Sequence, residues 1–255
     1  MKRPFRLGTT SYIYPEDLLP NVRQLAPLVD DVELVLFEVD DYGTNLPDTQ
    51  TAAALNALAR DFDLTYTVHL PLDLDWHDPG SFDKIHRALD ATRALEPFAH
   101  ILHLDGRVLR GAPTSDVITE WQVESSRALD HVLRWVEAPR LCIENLEAWP
   151  PKWFAEMVVD KNLGRCVDVG HFWLQRCDPL PHLQEHLART RVVHMHGVNT
   201  RDHQSLAHQA QRDIEPVLDF LVRKNFAGVV TLEVFNLDDF LSSKQVMMEW
   251  ENDLL

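Results

Sequence analysis

The sequence predicts a (β/α)8 barrel, an α/β fold of eight parallel strands ringed by helices. Three observations predict it. Eight short apolar, β-branched runs recur along the 255 residues, starting 24 to 41 residues apart. Most are too continuously apolar for half-exposed strands and suit strands buried on both faces. A segment with helical spacing follows each run, and such alternation implies parallel strands with right-handed crossovers.

The elements follow in order. Run one, Arg6–Thr10, leads to a helix over Pro15–Leu28, with Pro15 in its first turn and Leu18, Leu19, Val22 and Leu25 as its apolar stripe. Run two, Glu33–Glu38, leads to Pro47–Arg60, which carries Ala53, Leu55, Leu58 and Ala59. Run three, Thr65–Leu70, precedes a helix over Ser81–Leu95. Run four, His100–Asp105, precedes Ser115–Val136, where Ser115 is the expected N-cap. Run five, Leu141–Leu146, passes through a loop at Ala148–Pro151 into a helix over Pro151–Val159. Runs six, Arg165–Val169, and seven, Arg191–His196, lead to helices over Leu180–Leu187 and Ile214–Val222. Run eight, Val229–Phe235, leads to Phe240–Trp250. A doubly wound open sheet is the alternative, but no Gly-x-Gly-x-x-Gly follows the first run. No linker or low-complexity tract interrupts the pattern, so one domain over residues 1–255 is expected.

Asp and Glu number 40 against 24 Lys and Arg, a formal net charge of −16. That disfavours nucleic acid as a partner, because phosphate backbones are bound by clustered cations. Hydrophobic residues at 45% and charged residues at 25% suit a chain that buries its own core. The three cysteines form no Cys-x-x-Cys pair and are too few for a disulfide framework. The start, MKRPFRLGTT, lacks the apolar stretch of a secretory signal, and no run approaches the ~18 apolar residues of a membrane span. A cytoplasmic chain with no membrane partner is the expectation. Oligomeric state is not legible.

In such a barrel the chemistry sits at the C-terminal ends of the strands. Here those ends carry Glu38, His69, His103 with Asp105, Glu144 with Asn145, Asp168 followed by His171, His194 and His196, and Glu233. Arg201, Asp202 and His203 follow the seventh run. Singly, each has a plain role: Asp168 can cap a helix, His171 can bond a loop carbonyl, Glu233 can pair with an arginine. Together, Glu144, Asp168, His196 and Glu233 bring three acids and one histidine to one mouth, where Lys and Arg are scarce. Converging buried charges of one sign call for a cation. Mixed imidazole and carboxylate ligation suits Zn²⁺, Mn²⁺ or Fe²⁺. His194 and His196 share a strand face, and His196, at the strand end, is the expected ligand of the two.

This pattern resembles the xylose-isomerase-like TIM barrel superfamily, which includes sugar isomerases, epimerases and endonucleases of the endonuclease IV type. The matching pieces are Glu144 in CIENL, Asp168 in DVGH, His196 in HMHG and Glu233 in TLEVF. The endonuclease branch of the family adds residues that match His69 in VHLP, His103 in LHLDG, His171 in DVGH and the pair Asp202 and His203 in TRDHQSL. The family's order in the last motif is Asp-x-His, whereas here the two residues are adjacent. The segments GTTSYIYPEDLLPNV, DDVELVLFE, LTYTVHLPLDL and ILHLDG are similar to the cobamide-remodelling phosphodiesterases, the CbiR family.

The resemblance implies two or three divalent ions and hydrolysis of the phosphoribosyl linkage in the nucleotide loop of a cobamide, leaving a cobinamide phosphate. Glu144 would bridge an ion on His69 and His103 to one on Asp168, His196 and Glu233. His171 and His203, with Asp202, would hold a third. His69, Glu144 and Glu233 are then the expected catalytic residues. By their position after strand ends, Tyr12, Tyr14, Phe172 and Trp173 would either stack on a flat substrate or pack their own loops, and Glu38 and Arg201 are candidate substrate contacts. The alternative is a metal-dependent isomerase or epimerase of a sugar or sugar phosphate, with one essential ion and Glu144 and Glu233 exchanging a substrate proton. A metal- or ligand-binding barrel without catalysis and a DNA-repair endonuclease are further alternatives. The complete ligand set disfavours the first, and the net charge disfavours the second.

Overall fold

A computed structural model describes residues 3–39, 43–147 and 149–253. Eight parallel strands close into a barrel. They are β1 (Arg6–Thr10), β2 (Asp31–Val35), β3 (Thr65–Leu74), β4 (Ala99–Leu104), β5 (Leu141–Glu144), β6 (Gly164–Asp168), β7 (Thr190–Met195) and β8 (Val229–Leu232). Each pairs with its neighbours in sequence, and β1 pairs with both β2 and β8 to close the ring. The helices are α1 (Leu18–Leu25), α2 (Thr49–Phe62), α3 (Pro79–Thr92), α4 (Ser115–Val132), α5 (Ala155–Asp160), α6 (Val169–Leu174), α7 (Leu180–His186), α8 (Gln211–Arg223) and α9 (Leu237–Asp253). Among the described residues no helix is long and apolar enough to cross a membrane.

Strand side chains alternate between two environments. The outward set, including Val32, Leu34, Val68, Leu102, Ile143, Val167, Val193 and Val230, packs against the helices in the main core. The inward set begins as an apolar plug of Ala99, Ile101, Cys142, Cys166, Val192 and Val229. Two residues further along the same inward faces come His103, Glu144, Asp168, His194 and Thr231. The plug thus fills the N-terminal half of the barrel and supports a polar layer above it.

Several element boundaries differ from the sequence pattern. Pro15 precedes α1, whose N-cap is Asp17, so it is not a first-turn residue. Thr114, not Ser115, caps α4, its Oγ1 accepting from the Val117 amide at 3.4 Å. Strand β2 starts earlier than expected and stops at Val35; Glu38 lies instead in a small antiparallel hairpin, Glu38–Val39 with Gly43–Thr44. The alternation explains this, because the inward positions of β2 are Asp31 and Glu33, both completely buried. Polar residues broke the apolar pattern where the strand starts. Strand β3 continues to Leu74 through an irregularity between His69 and Asp73, since Asp73 and Leu74 keep pairing with β4 beyond the bulge. Helix α6 was not expected; Asp168 nucleates it by capping the His171 amide at 2.7 Å. Of the Ala148–Pro151 loop, Ala148 lies outside the described residues.

Arg165 on β6 points outward into the helix layer and is 1% exposed. Its guanidinium lies 5.2 Å from the Phe154 ring, and two of its nitrogens have no hydrogen-bond partner. Burial pushes it down to about 10. A buried cation with unmet donors destabilises a fold, and apolar replacements of buried charges are commonly stabilising by about 1–4 kcal/mol. Arg165→Met is therefore expected to raise the melting temperature by several degrees, read by calorimetry, and a fall would show the guanidinium to be satisfied.

Candidate metal centre

The polar layer gathers three main constellations, in each of which the ligand atoms lie within 4.8 Å of one another: His69, His103 and Glu144; Glu144, Asp168, His194 and Glu233; and His171, His196 and His203; a fourth group overlaps the second, with buried Cys166 beside Glu144 and His194. Glu144 belongs to the first two. Its Oε2 lies 3.1 Å from His103 Nε2 and 3.5 Å from His69 Nε2. Its Oε1 faces His194 Nδ1 at 3.5 Å, and that nitrogen lies 3.1 Å from Glu233 Oε2. Asp168 Oδ1 is 3.3 Å from His196 Nε2, and Glu233 Oε2 is 3.4 Å from His203 Nδ1. The β6–β7 register sets Asp168 directly beside His194.

Most of these imidazoles are held by one nitrogen and offer the other. His69 Nδ1 contacts the Leu70 carbonyl at 3.1 Å, His103 Nδ1 contacts Asp73 at 3.2 Å, and His171 Nδ1 contacts the Asn145 carbonyl at 2.9 Å. His194 Nε2 contacts Glu33 at 2.9 Å. Such outer partners are what orient ligating histidines. Five buried atoms here have no hydrogen-bond partner: Asp168 Oδ2, Glu233 Oε2, His194 Nδ1, His196 Nε2 and His203 Nδ1. Orphaned donors and acceptors of this kind are costly in a folded protein, and their convergence fits divalent cations.

The electrostatics agree. Burial works against the charge on Glu144, yet His194 and His103 hold its carboxyl well below the ordinary range. Burial likewise opposes a charged His103, but Glu144 and Asp73 raise it to about 10. Glu233 raises His203 to about 9 against the same penalty. A cation held by these groups would have to displace protons from them.

Both plain roles considered for DVGH are real and compatible with ligation. Asp168 caps α6 with Oδ1 while its Oδ2 has no hydrogen-bond partner, and His171 bonds the Asn145 carbonyl with Nδ1. Gly170 is needed because a Cβ there would lie 2.2 Å from the His196 ring.

Some expected site residues sit elsewhere. His194, not His196, joins the three carboxylates, because it occupies the same inward layer as Glu144 and Asp168; His196 lies one pleat nearer the mouth, with His171 and His203. Asp202 is not in any of the three constellations; its Oδ2 is 3.8 Å from His203 Nε2. His203 takes a left-handed φ of 49°, and its Nδ1 reaches Glu233 at 3.4 Å.

A cavity of about 280 Å³ adjoins the centre, lined among others by Asp73, His103, His171, His203, Arg107 and Arg110. Tyr12, Glu38, Arg201 and Trp173 do not line it. Tyr12 is 51% exposed and belongs to a groove with Tyr14 and Pro15. Glu38 is tied to Arg87 of α3, with Nε at 3.0 Å. The Arg201 loop is folded around the Gln204 side chain, which leaves Arg201 exposed. Trp173, on α6, faces a groove with Arg176 and Arg212. The sequence pattern does not single out Glu33, Asp73, Arg107 or Arg110. Counting two residues on from the apolar plug would have selected His194.

A family model described as xylose isomerase-like TIM barrel matches residues 28–251. A D-tagatose 3-epimerase-like protein is similar in structure, with a TM-score of 0.78, 20% identity and 97% of each chain covered. A 3-keto-D-glucoside 4-epimerase from E. coli follows, with a TM-score of 0.68 and 14% identity over 98% of this chain and 100% of that one. Endonuclease IV from Thermus thermophilus has a TM-score of 0.69 and 15% identity over 97% of this chain and 99% of that one. At these identities the likeness shows the fold alone. No curated protein matches the chain. With a closed parallel barrel and a family match over most of its length, the chain belongs to the xylose isomerase-like TIM barrel family.

Proposed function

We propose that the chain is a metal-dependent enzyme acting on a small molecule at the C-terminal mouth of its barrel, and that its reaction is hydrolysis of a phosphodiester. The observation that carries this reading is the constellation of His69 and His103 around Glu144, beside the acid-rich one and sharing its carboxylate. A single-ion isomerase site has no use for that second constellation. His69, His103 and Glu144 would hold one ion; Glu144, Asp168, His194 and Glu233 a second; His171, His196 and His203 a third. Bound there, Zn²⁺, Mn²⁺ or Fe²⁺ would supply Lewis acidity and a lowered pKa for water.

The chain's own residues supply the rest. Glu144 would contribute to two of these sites, since one of its oxygens faces His103 and the other faces His194. Arg107 and Arg110 place cationic groups on the adjoining cavity of an otherwise acidic protein, which suits an anionic phosphoester. Arg107 is committed to Asp105 and Asp75, at 2.8 and 2.7 Å, which leaves Arg110 the better candidate for substrate oxygens. Buried Glu144 and Glu233 have histidines as ion partners, so both can hold or pass protons. A cobamide as the substrate rests on the resemblance of the N-terminal motifs, and its cationic corrin tolerates an acidic surface.

The second reading is a sugar isomerase or epimerase. The comparisons favour it, because most of the similar structures are named as epimerases or epimerase-like. Glu144 and Glu233, both facing His194, would then exchange the substrate proton.

Metal content separates the readings. The wild type is expected to hold two or three ions per chain, and His69→Ala or His103→Ala one fewer. Cobamide cleavage should fall by about 10²–10³-fold, the loss typical of a positioned charge stabiliser. One ion in wild type and in both variants, with ketose conversion and no cobamide cleavage, would establish the isomerase.

Chelation should lower stability, because a ligand at 100 times its Kd adds about 2.7 kcal/mol to the native state. For a chain of this size that is on the order of 5–10 °C, read by calorimetry before and after metal removal. No shift in protein that starts loaded would refute a metal centre. Arg110→Ala is expected to raise KM for a phosphoester about tenfold with a smaller change in kcat, and an unchanged KM would remove Arg110 from substrate binding.

A further inference from the structure

Glu33 is a completely buried carboxylate in the interior of the barrel, outside all three ligand constellations and, among the described residues, without a salt bridge to Lys or Arg. It projects inward from β2, three strands around the ring from β7. Its Oε2 lies 2.9 Å from Nε2 of His194, which is also completely buried. The opposite nitrogen of that ring, Nδ1, has no hydrogen-bond partner and faces Glu144 Oε1 at 3.5 Å and Glu233 Oε2 at 3.1 Å. The imidazole therefore spans the gap between an acid that belongs to no site and two that do.

An ionised carboxylate only accepts hydrogen bonds, and a neutral imidazole carries one donor and one acceptor nitrogen. With Nε2 donating to Glu33, the lone pair must be on Nδ1. A buried carboxylate behind a histidine also raises the basicity of the far nitrogen. The other outer partners are backbone carbonyls or the half-exposed Asp73, so Glu33 is the one fully buried carboxyl group in that role among the described residues.

We infer that Glu33 is a positioning residue that locks His194 with its proton on Nε2 and so dedicates His194 Nδ1 to a cation held by Glu144, Asp168 and Glu233. The inference rests on the metal-centre reading. It assigns Glu33, one of the two interior acids of the DDVELVLFE segment, to tuning the acid-rich site rather than to binding substrate.

The rival arrangement is an imidazolium that donates from both nitrogens and simply joins three carboxylates, with no part in ligation. Zinc alone is a sufficient probe. Full-length protein labelled with ¹⁵N-histidine would be loaded with zinc and its ring nitrogens assigned by two-bond ¹H–¹⁵N correlation. His194 is expected to show a protonated Nε2 and a metal-shifted Nδ1.

Zinc affinity, measured by competition with a chelator, should fall about tenfold in Glu33→Gln, whose amide oxygen still accepts from Nε2, and about 100-fold in Glu33→Leu. The near-isosteric Gln variant carries the test if the Leu variant does not fold. Coordination through Nε2, an unshifted His194 in zinc-loaded protein, or unchanged affinity in both variants would overturn the role of Glu33 while leaving the metal centre standing. A wild type that takes up no zinc would overturn the metal centre and this inference with it.

Discussion

The carboxylate of Glu144 is the constraint on which the rest of the centre depends. It is 1% exposed, and its two oxygens face different histidine sets. A buried ion of this kind persists only if opposite charge reaches it. The chain meets that need with imidazoles rather than with lysine or arginine, and imidazoles can exchange their protons for a cation. The same choice recurs at Asp168 and Glu233, whose ion partners are also histidines. Such an interior would be neutralised by bound cations.

The barrel makes this possible through simple arithmetic along its strands. Inward positions recur every second residue. One layer is apolar, from Ala99 on β4 to Val229 on β8, and the next inward positions carry His103, Glu144, Asp168 and His194. The apolar layer excludes water from below, which lowers the local dielectric and strengthens every interaction above it. Fold and site are thus adjacent registers of the same strands.

That arithmetic also explains what was legible in the sequence. Eight strands, their order and the residues at most strand ends could be read directly, because buried parallel strands leave continuous apolar runs. The start of β2 could not, because Asp31 and Glu33 are polar residues turned into the barrel, which disguise a strand as a loop. The place of His194 among the three carboxylates was missed for a related reason: strand ends were located by composition, and a shift of one pleat puts His196 in the layer above, with His171 and His203. Arg107, Arg110 and Asp73 were illegible because nothing local marks them. They reach the cavity through a bulge in β3 and the turn after β4. Conversely, Tyr12 and Trp173 follow strand ends in sequence but are turned into surface grooves by the segments that follow them.

The segment Asp168–His171 shows how tightly the local fold and the centre are joined. Asp168 caps α6 with one oxygen and presents the other, which has no hydrogen-bond partner and lies 3.4 Å from His171 Nδ1, to the centre. The cap starts a short helix, and one turn of it carries His171 back to the same side, with Nδ1 on the Asn145 carbonyl. Asn145 in turn donates to the Asp168 carbonyl and accepts from its amide, both at 2.9 Å, which fixes the ends of β5 and β6 against each other. Gly170, between them, has no side chain because the His196 ring occupies that space. Each of these residues has a structural duty and points a chemical group at the centre. Neither duty can be lost without the other, since helix, strand ends and ligand atoms are held by the same hydrogen bonds.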